Sequence, residues 1–348
     1  MLDDRQSKIL IAVICDHITT ADPVGSRTIA RKYGFGISPA TIRNIMADLE
    51  DMGFLAQPHT SAGRIPTDKG FRFYVDHLDL FQKSLETLTS LKIEEILHSE
   101  TELGNLMKKA TDLLSQLSNQ AGLVLGPNLK NTVCRHIDFI KLNNSQVLVI
   151  FISESGLVHK RVIVLEDDIS QDVFDKMSKL ITTELMGLSL AKIRSKLVSI
   201  MENEKTQFDH LYAQVIKLSQ QFFDSEDEEK SELYVGGTFN MINQPEFMNV
   251  EKMRNLFKAF EEKRLLIHIL DECLGEDQEG ARVIIGEENL VEDMKDVSFV
   301  LSSYKYGERS LGVIGIIGPK RMNYTQVIPI VEYTANTVSR LLTEHIEA

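Results

Sequence analysis

The spacing of apolar and polar residues predicts two kinds of structure in separate parts of the chain. Up to about residue 120, apolar residues recur every three or four positions, as in amphipathic helices. From 121 to 165 they form short β-branched runs separated by Gly, Pro or Asn, which predicts an antiparallel meander of consecutive strands, and the strand pattern resumes from 281 to 319. A last helical pattern runs from 324 to 346. We therefore predict an α+β fold.

The helical pattern is clearest between Ser38 and Gly53. The Ser38 hydroxyl can accept a hydrogen bond from the first backbone amides, and Pro39 suits the first helical position. An apolar stripe follows at Ile42, Ile45, Met46 and Leu49. A second short helix, which Gly25 and Ser26 open, precedes it, and the glycine-containing turn YGFGI at 33–37 joins the two helices, which predicts a helix-turn-helix.

The residues around this motif complete a small domain. After Gly53, the segment FLAQ and a second segment around Ile65 predict two short strands, and the loop between them contains Pro58 and Gly63. Residues 4–18 predict a supporting helix, and Thr67 can cap a helix that leads out of the hairpin. We predict a winged helix-turn-helix domain over residues 1–80.

The charge distribution favours a nucleic-acid partner for this domain only. The 348-residue chain has 38 Lys/Arg and 51 Asp/Glu, a net charge of −13. Residues 1–80 contain nine basic and ten acidic residues, so the rest of the chain carries −12. Residues 24–47 contain no acidic residue and four basic ones, Arg27, Arg31, Lys32 and Arg43. This segment therefore provides a local field that attracts phosphate.

Two sets of side chains are candidates for DNA contact. Thr41, Arg43 and Asn44 occupy the first turns of the predicted recognition helix, where Arg43 can bind guanine and Asn44 adenine. The other candidates are predicted to contact phosphates or the minor groove; they are Ser26, Arg27, Ser38, His59, Thr60, Ser61 and Arg64. The alternative is a helical domain that binds a protein and has a basic surface by chance.

The remaining sequence predicts further domains. Residues 81–120 form a predicted helical linker, whose second helix must pack its apolar stripe against the next domain or against a second copy. The strand patterns in 121–190 and 276–348 predict one sheet domain, interrupted at 191–275 by a mainly helical insertion. Within the insertion, the acidic stretch at 224–232 is interpreted as a solvated loop, or alternatively as an interaction tail.

Several functional classes are disfavoured. The longest apolar runs are far shorter than the roughly 20 residues that span a bilayer, so we expect a cytoplasmic protein without membrane contact. Cys15, Cys134 and Cys273 are isolated and are interpreted as free thiols. The run GVIGIIG at 312–318 lacks the spacing of a nucleotide-binding loop. We predict no enzyme activity, no cofactor and no metal.

The chain also resembles a known family. The segments SPATIRNIMADLEDMGFL at 38–55 and QPHTSAGRIPTDKGFRFYVDHL at 57–78 are similar to the N-terminal block of the heat-inducible transcription repressor HrcA family. Its central and C-terminal blocks are similar to ELYVGGTFNMINQPEF at 232–247, IIGEEN at 284–289 and LGVIGIIGPKRMNY at 311–324. Ile45 and Phe71 stand where Glu and Tyr are expected in relatives.

The resemblance implies an architecture and a function. It implies a GAF-like sheet domain (121–190 and 276–348) that carries an inserted dimerisation domain (191–275). It also implies a repressor of heat-shock chaperone operons that binds double-stranded inverted-repeat operator DNA as a homodimer. The GroEL/GroES chaperonin would maintain its activity. Two other hypotheses are a metabolite sensor whose ligand switches DNA binding and an acidic scaffold protein; the basic segment at 24–47 disfavours the scaffold.

Overall fold

The computed structural model describes residues 2–59, 62–78, 87–100, 102–127, 133–154, 158–165, 168–188, 192, 232–274, 280–307 and 309–347. In these ranges the strands form antiparallel sheets of two, five and three strands, and helices pack around them. The predicted α+β class is confirmed.

Residues 2–78 form a helical unit with a short hairpin. Its elements, all predicted from the sequence, are α1 (Asp4–Thr20), α2 (Ser26–Tyr33), α3 (Pro39–Asp51), β1 (Leu55–Ala56), β2 (Ile65–Pro66) and α4 (Asp68–Asp76). The expected side-chain caps form at the starts of α3 and α4, where the hydroxyls of Ser38 and Thr67 accept backbone N–H groups. The turn between α2 and α3 relies on Gly34 and Gly36, both of which have positive φ.

The second unit is built on the five-stranded sheet. Its strands, in the spatial order β7-β3-β10-β9-β8, are β3 (Ala121–Leu125), β7 (Leu233–Gly236), β8 (Arg282–Ile285), β9 (Val297–Tyr306) and β10 (Arg309–Pro319). The helices of this unit are α5 (Thr87–His98), α6 (Leu103–Ser118), α8 (Phe239–Ile242), α9 (Val250–Glu261), α10 (Lys263–Leu274) and α11 (Tyr324–Glu347).

Both faces of this sheet are buried, because alternate strand residues point to opposite sides. Val300, Ile314 and Ile316 join α5, α6 and α11 in one core. Phe299 and Ile317 join α9 and α10 in another. The apolar stripe of α6 therefore packs within the chain, which is the first of the two alternatives expected for it.

The third unit is a small sheet with one helix. Its elements are β4 (Cys134–Asn143), β5 (Gln146–Ser153), β6 (Val158–Val164) and α7 (Gln171–Leu185), which share a separate apolar core. Side chains of α7 bond to the outer edge of β4. Ser178 Oγ accepts from Phe139 N at 3.2 Å, and Gln171 accepts from Lys141 N at 2.8 Å and donates to Phe139 O at 2.9 Å.

The strand pairings differ from the expected meander in one respect. The sequence predicted that 121–125 pairs with the strands that follow it, but β3 pairs with β10 and β7 instead. All five residues of β3 are buried, as in a central strand with both faces covered. The expectation was wrong at β3, because its partners lie far along the chain and leave no local signal. The three-stranded meander β4-β5-β6 is confirmed.

The strand pairings group the residues differently from the predicted domains. Within the predicted insertion, 191–275, β7 extends the five-stranded sheet and α9 and α10 cover one of its faces. The separate core is formed by β4, β5, β6 and α7, which lie in the predicted sheet-domain segment 121–190. Residues 193–231 of the predicted insertion, which include most of the acidic stretch at 224–232, lie outside the described residues.

Phe174→Ala should test the independence of the small unit. Phe174 is completely buried and stacks on Phe139, so its loss should destabilise this unit by about 3–5 kcal/mol. Amide hydrogen exchange should rise in β4, β5 and β6 and remain unchanged in β9 and β10. Lys176→Ala, on the exposed side of the same helix, serves as the control. Equal acceleration in both sheets would contradict the separation of the two cores.

Candidate nucleic-acid interface

Helix α3 places the predicted base-contacting residues at its exposed N-terminal end. Its inner side buries Ile42, Met46 and Leu49, while Ile45 is half-buried. Arg43 and Asn44 are exposed on the opposite side. The first acidic residue of the helix is Asp48, so the first turns combine the positive end of the helix dipole with a cationic side chain.

Ser38 and Thr41 have structural contacts at the start of α3. Ser38 Oγ accepts from Thr41 N at 3.1 Å, and the two hydroxyl oxygens are 3.0 Å apart. Thr41 is half-buried and Ser38 is exposed. Both hydroxyls therefore help to order the first turn from which Arg43 and Asn44 project.

Helix α2 carries the other candidate cations. Ser26, at its start, is half-buried, whereas Arg27 and Arg31 are exposed and lie one turn apart. Lys32 is in a different position, because its Nζ lies 2.5 Å from Oδ1 of the buried Asp16 on α1. This hydrogen-bonded ion pair raises the pKa of Lys32 and joins α1 to α2.

The hairpin is attached to the start of α2. Val24 and Arg64 exchange backbone hydrogen bonds of 2.8 and 2.9 Å. Val24 O lies so close to Gly63 that any side chain at position 63 would clash with it. In the hairpin loop, Gln57 Nε2 donates to Ala62 O at 3.0 Å. His59 is exposed; Thr60 and Ser61 lie outside the described residues.

Arg64 is the candidate whose position differs most from the expectation. Its Nη2 lies 2.7 Å from Glu50 Oε2 on α3, and its side chain is only 17% exposed. In this arrangement the guanidinium connects the hairpin to α3 and holds the hairpin in position.

The sequence analysis predicted no DNA contact for Arg31, although this residue belongs to the basic segment at 24–47. Its position four residues after Arg27 could have indicated that the two side chains share an exposed face of α2. In the described part of the chain, Arg27, Arg31 and Arg43 make no ion pair. These three cations are therefore available to phosphates or bases.

The described residues bring together no group of three or more His, Cys, Asp or Glu side chains that could hold a metal ion. Among them, no helix has the length and apolar character needed to cross a membrane. Burial raises the pKa of the Cys134 thiol to about 11, so this cysteine is protonated at neutral pH.

Comparison with known proteins gives consistent results. Residues 104–328 match the family model described as the HrcA protein C terminal domain. The heat-inducible transcription repressor HrcA of Syntrophobacter fumaroxidans is 42% identical over 344 residues, covering 99% of this chain and 98% of the relative. That of Geobacter sulfurreducens is 41% identical over 342 residues, covering 98% of each.

A solved structure resembles the fold. The crystal structure of a hypothetical protein aligns with a TM-score of 0.64 and 23% identity, and the alignment covers 99% of this chain and 100% of that chain. The likeness in fold extends over the whole length, as the sequence similarity does. The chain therefore belongs to the heat-inducible transcription repressor HrcA family, whose members are transcription regulators and not enzymes.

Proposed function

We propose that the chain represses heat-shock chaperone operons by binding an inverted-repeat operator as a homodimer. Residues 2–78 act as a winged helix, with α3 in the major groove and the β1-β2 hairpin against the backbone or minor groove. The observation that carries the proposal is the exposed N-terminal end of α3, where Arg43 and Asn44 project from turns without acidic residues.

The proposed roles of the DNA-binding residues rest on their chemistry and, for the described residues, on their exposure. Arg43 binds guanine through its forked guanidinium, Asn44 binds adenine, and Thr41 contacts a neighbouring base. Arg27, Ser26 and the amides at the start of α2 bind phosphates, together with Ser38, His59, Thr60 and Ser61. Arg64 holds the hairpin through Glu50.

The homodimer is proposed to form through the small unit of β4, β5, β6 and α7. The outer face of its sheet is apolar and is not covered by the residues that the structure describes: Ile140, Leu148 and Val162 lie side by side across the three strands. Ile140 is 39% and Val162 47% exposed. Contiguous exposed apolar surface of this kind marks an interaction site. The unit would serve as the inserted dimerisation domain of a GAF-like sheet domain.

No observation favours the metabolite-sensor hypothesis. In the described residues of the five-stranded sheet, both faces are covered by packed apolar cores. A ligand would have to displace helices from one of these faces.

Arg43→Ala should reduce operator binding by about 1–3 kcal/mol and relax the preference for one base. The measurement is a titration of the full chain against duplexes that vary at each operator position, with scrambled duplex as competitor at physiological salt. Arg27→Ala is the matched control, because the loss of a phosphate contact should weaken all sequences equally and reduce the salt slope by about 1. Unchanged base preference in Arg43→Ala would mean that α3 is not the recognition helix.

Val162→Asp should convert the dimer into a monomer, because the change places a charge in the proposed apolar interface. Sedimentation equilibrium measures the mass directly. Thr183→Asp adds the same charge at an exposed position on α7 and should leave the dimer intact. A Val162→Asp protein that remains dimeric would place the interface elsewhere.

Dependence on the chaperonin is proposed from the topology. The strand β3 pairs with β7 and β10, and such pairings between distant segments form slowly and leave strands exposed. The yield of operator-binding protein after dilution from denaturant should therefore rise when GroEL, GroES and ATP are present. Chaperonin without ATP is the control. The same yield under all conditions would argue against the dependence.

A further inference from the structure

Helix α4 carries two charged residues, one turn apart, that contact the five-stranded sheet unit. Arg72 Nε donates to Glu288 Oε1 at 2.7 Å, and its Nη2 donates to the second carboxylate oxygen. Nη2 also donates to Val283 O at 2.6 Å. A two-pronged contact between a planar guanidinium and a carboxylate restricts the angle as well as the distance between the two elements.

Asp68 makes the second contact. Its Oδ1 accepts from Lys320 Nζ at 2.7 Å, and its Oδ2 accepts from the backbone N–H of Glu287 at 2.9 Å. The approach requires Gly286, which has a φ of +52° and where a Cβ would lie 2.0 Å from Asp68 Oδ2. Asp68 therefore fits against the backbone that immediately precedes Glu288.

A third contact lies at the end of α1. The guanidinium of Arg321, which forms an ion pair with Glu246, donates to Ile18 O at 3.3 Å. Between these contacts, the ring of Phe71 on α4 packs 6.5 Å from that of Tyr324 on α11. The N-terminal unit is thus held at two separate places, on α4 and at the end of α1. The contact at each place opposes rotation of the unit about the other place.

These ion pairs determine orientation more than stability. The side chains of Arg72 and Glu288 are 30% and 39% exposed, and exposed pairs contribute little to the free energy of unfolding. Burial raises the pKa of Glu288, but the hydrogen bonds from Arg72 and Ile285 outweigh it and lower the pKa overall, so the pair is charged at neutral pH. The contribution of the contacts is a defined angle between two units.

We propose that Asp68, Arg72, Glu288 and Lys320 determine which separation of operator half-sites a dimer of this chain accepts. The inference rests on the proposed function, in which the dimer is joined elsewhere and each copy presents one α3. Each added base pair moves a half-site by about 3.4 Å and rotates it by roughly 35° around the duplex. A rigidly attached N-terminal unit cannot turn to reach the rotated half-site, whereas a loosely attached one can.

The experiment compares duplexes that differ only in spacing. A half-site is first selected with the wild-type chain from randomised duplex, and is then placed singly or as inverted repeats whose spacers cover one helical turn. The wild-type chain should prefer its best spacing by tenfold or more, on the order of the gain when both copies engage. In Arg72→Ala this preference should fall to about threefold or less, with single half-site affinity within about twofold of wild type.

Two further variants provide controls. Lys252→Ala removes an ion pair of similar exposure, Lys252–Asp296, that lies wholly within the sheet unit, and it should keep the wild-type preference. Arg72→Lys keeps the positive charge but loses the planar guanidinium that bonds both carboxylate oxygens, and it should give an intermediate spacing preference. If Arg72→Ala proves unfolded by circular dichroism, Lys320→Ala replaces it and is judged by the same ratio.

The outcomes separate the inference from the function on which it rests. A wild-type spacing preference in the folded variant overturns the inference, as does an equal loss of affinity for all spacings and for the single half-site. Failure of the wild-type chain to select any sequence overturns the proposed function itself.

Discussion

One continuous apolar core joins the N-terminal helical unit to the five-stranded sheet, and the placement of the other elements depends on it. The core includes Ile9 and Leu49 at the N-terminal end, Phe71 and Tyr74 on α4, and Tyr324 on α11. At about 25 cal/mol per Å² of buried apolar area, such a core stabilises the joined units far more than the exposed ion pairs at its margin. The core keeps the units together, while the ion pairs define the angle between them.

The carboxylates of the chain reduce the amount of positively charged surface as well as the net charge. Asp16 neutralises Lys32, and Glu50 neutralises Arg64, so two of the cations that the sequence offers are used inside the N-terminal unit. Arg27, Arg31 and Arg43 are left on the outside. A small number of free cations makes nonspecific attraction to duplex DNA modest, so that in the proposed function selectivity would depend on base contacts and on two copies engaging together.

The sequence was informative wherever the signal was local. Ser38, Pro39 and Gly53 predicted the limits of α3 correctly, because caps and helix-ending residues act within a few positions. The partners of Lys32 and Arg64 were not predictable, since Asp16 and Glu50 approach them only after the chain has folded. The same limit applies to β3, whose apolar run is compatible with any neighbouring strand. The candidate DNA-contact residues are predicted from chemistry and position, and the structure adds which of the described ones are exposed.

The covering of the β4 edge has a consequence for assembly. Gln171 and Ser178 occupy the N–H groups of Phe139 and Lys141 and the carbonyl of Phe139, so an incoming strand cannot pair with these groups. Edge-to-edge growth of the small sheet is therefore hindered in the middle of β4. The proposed association through the flat face would instead bury the same surface on both copies, and it would give a closed, two-fold symmetric dimer.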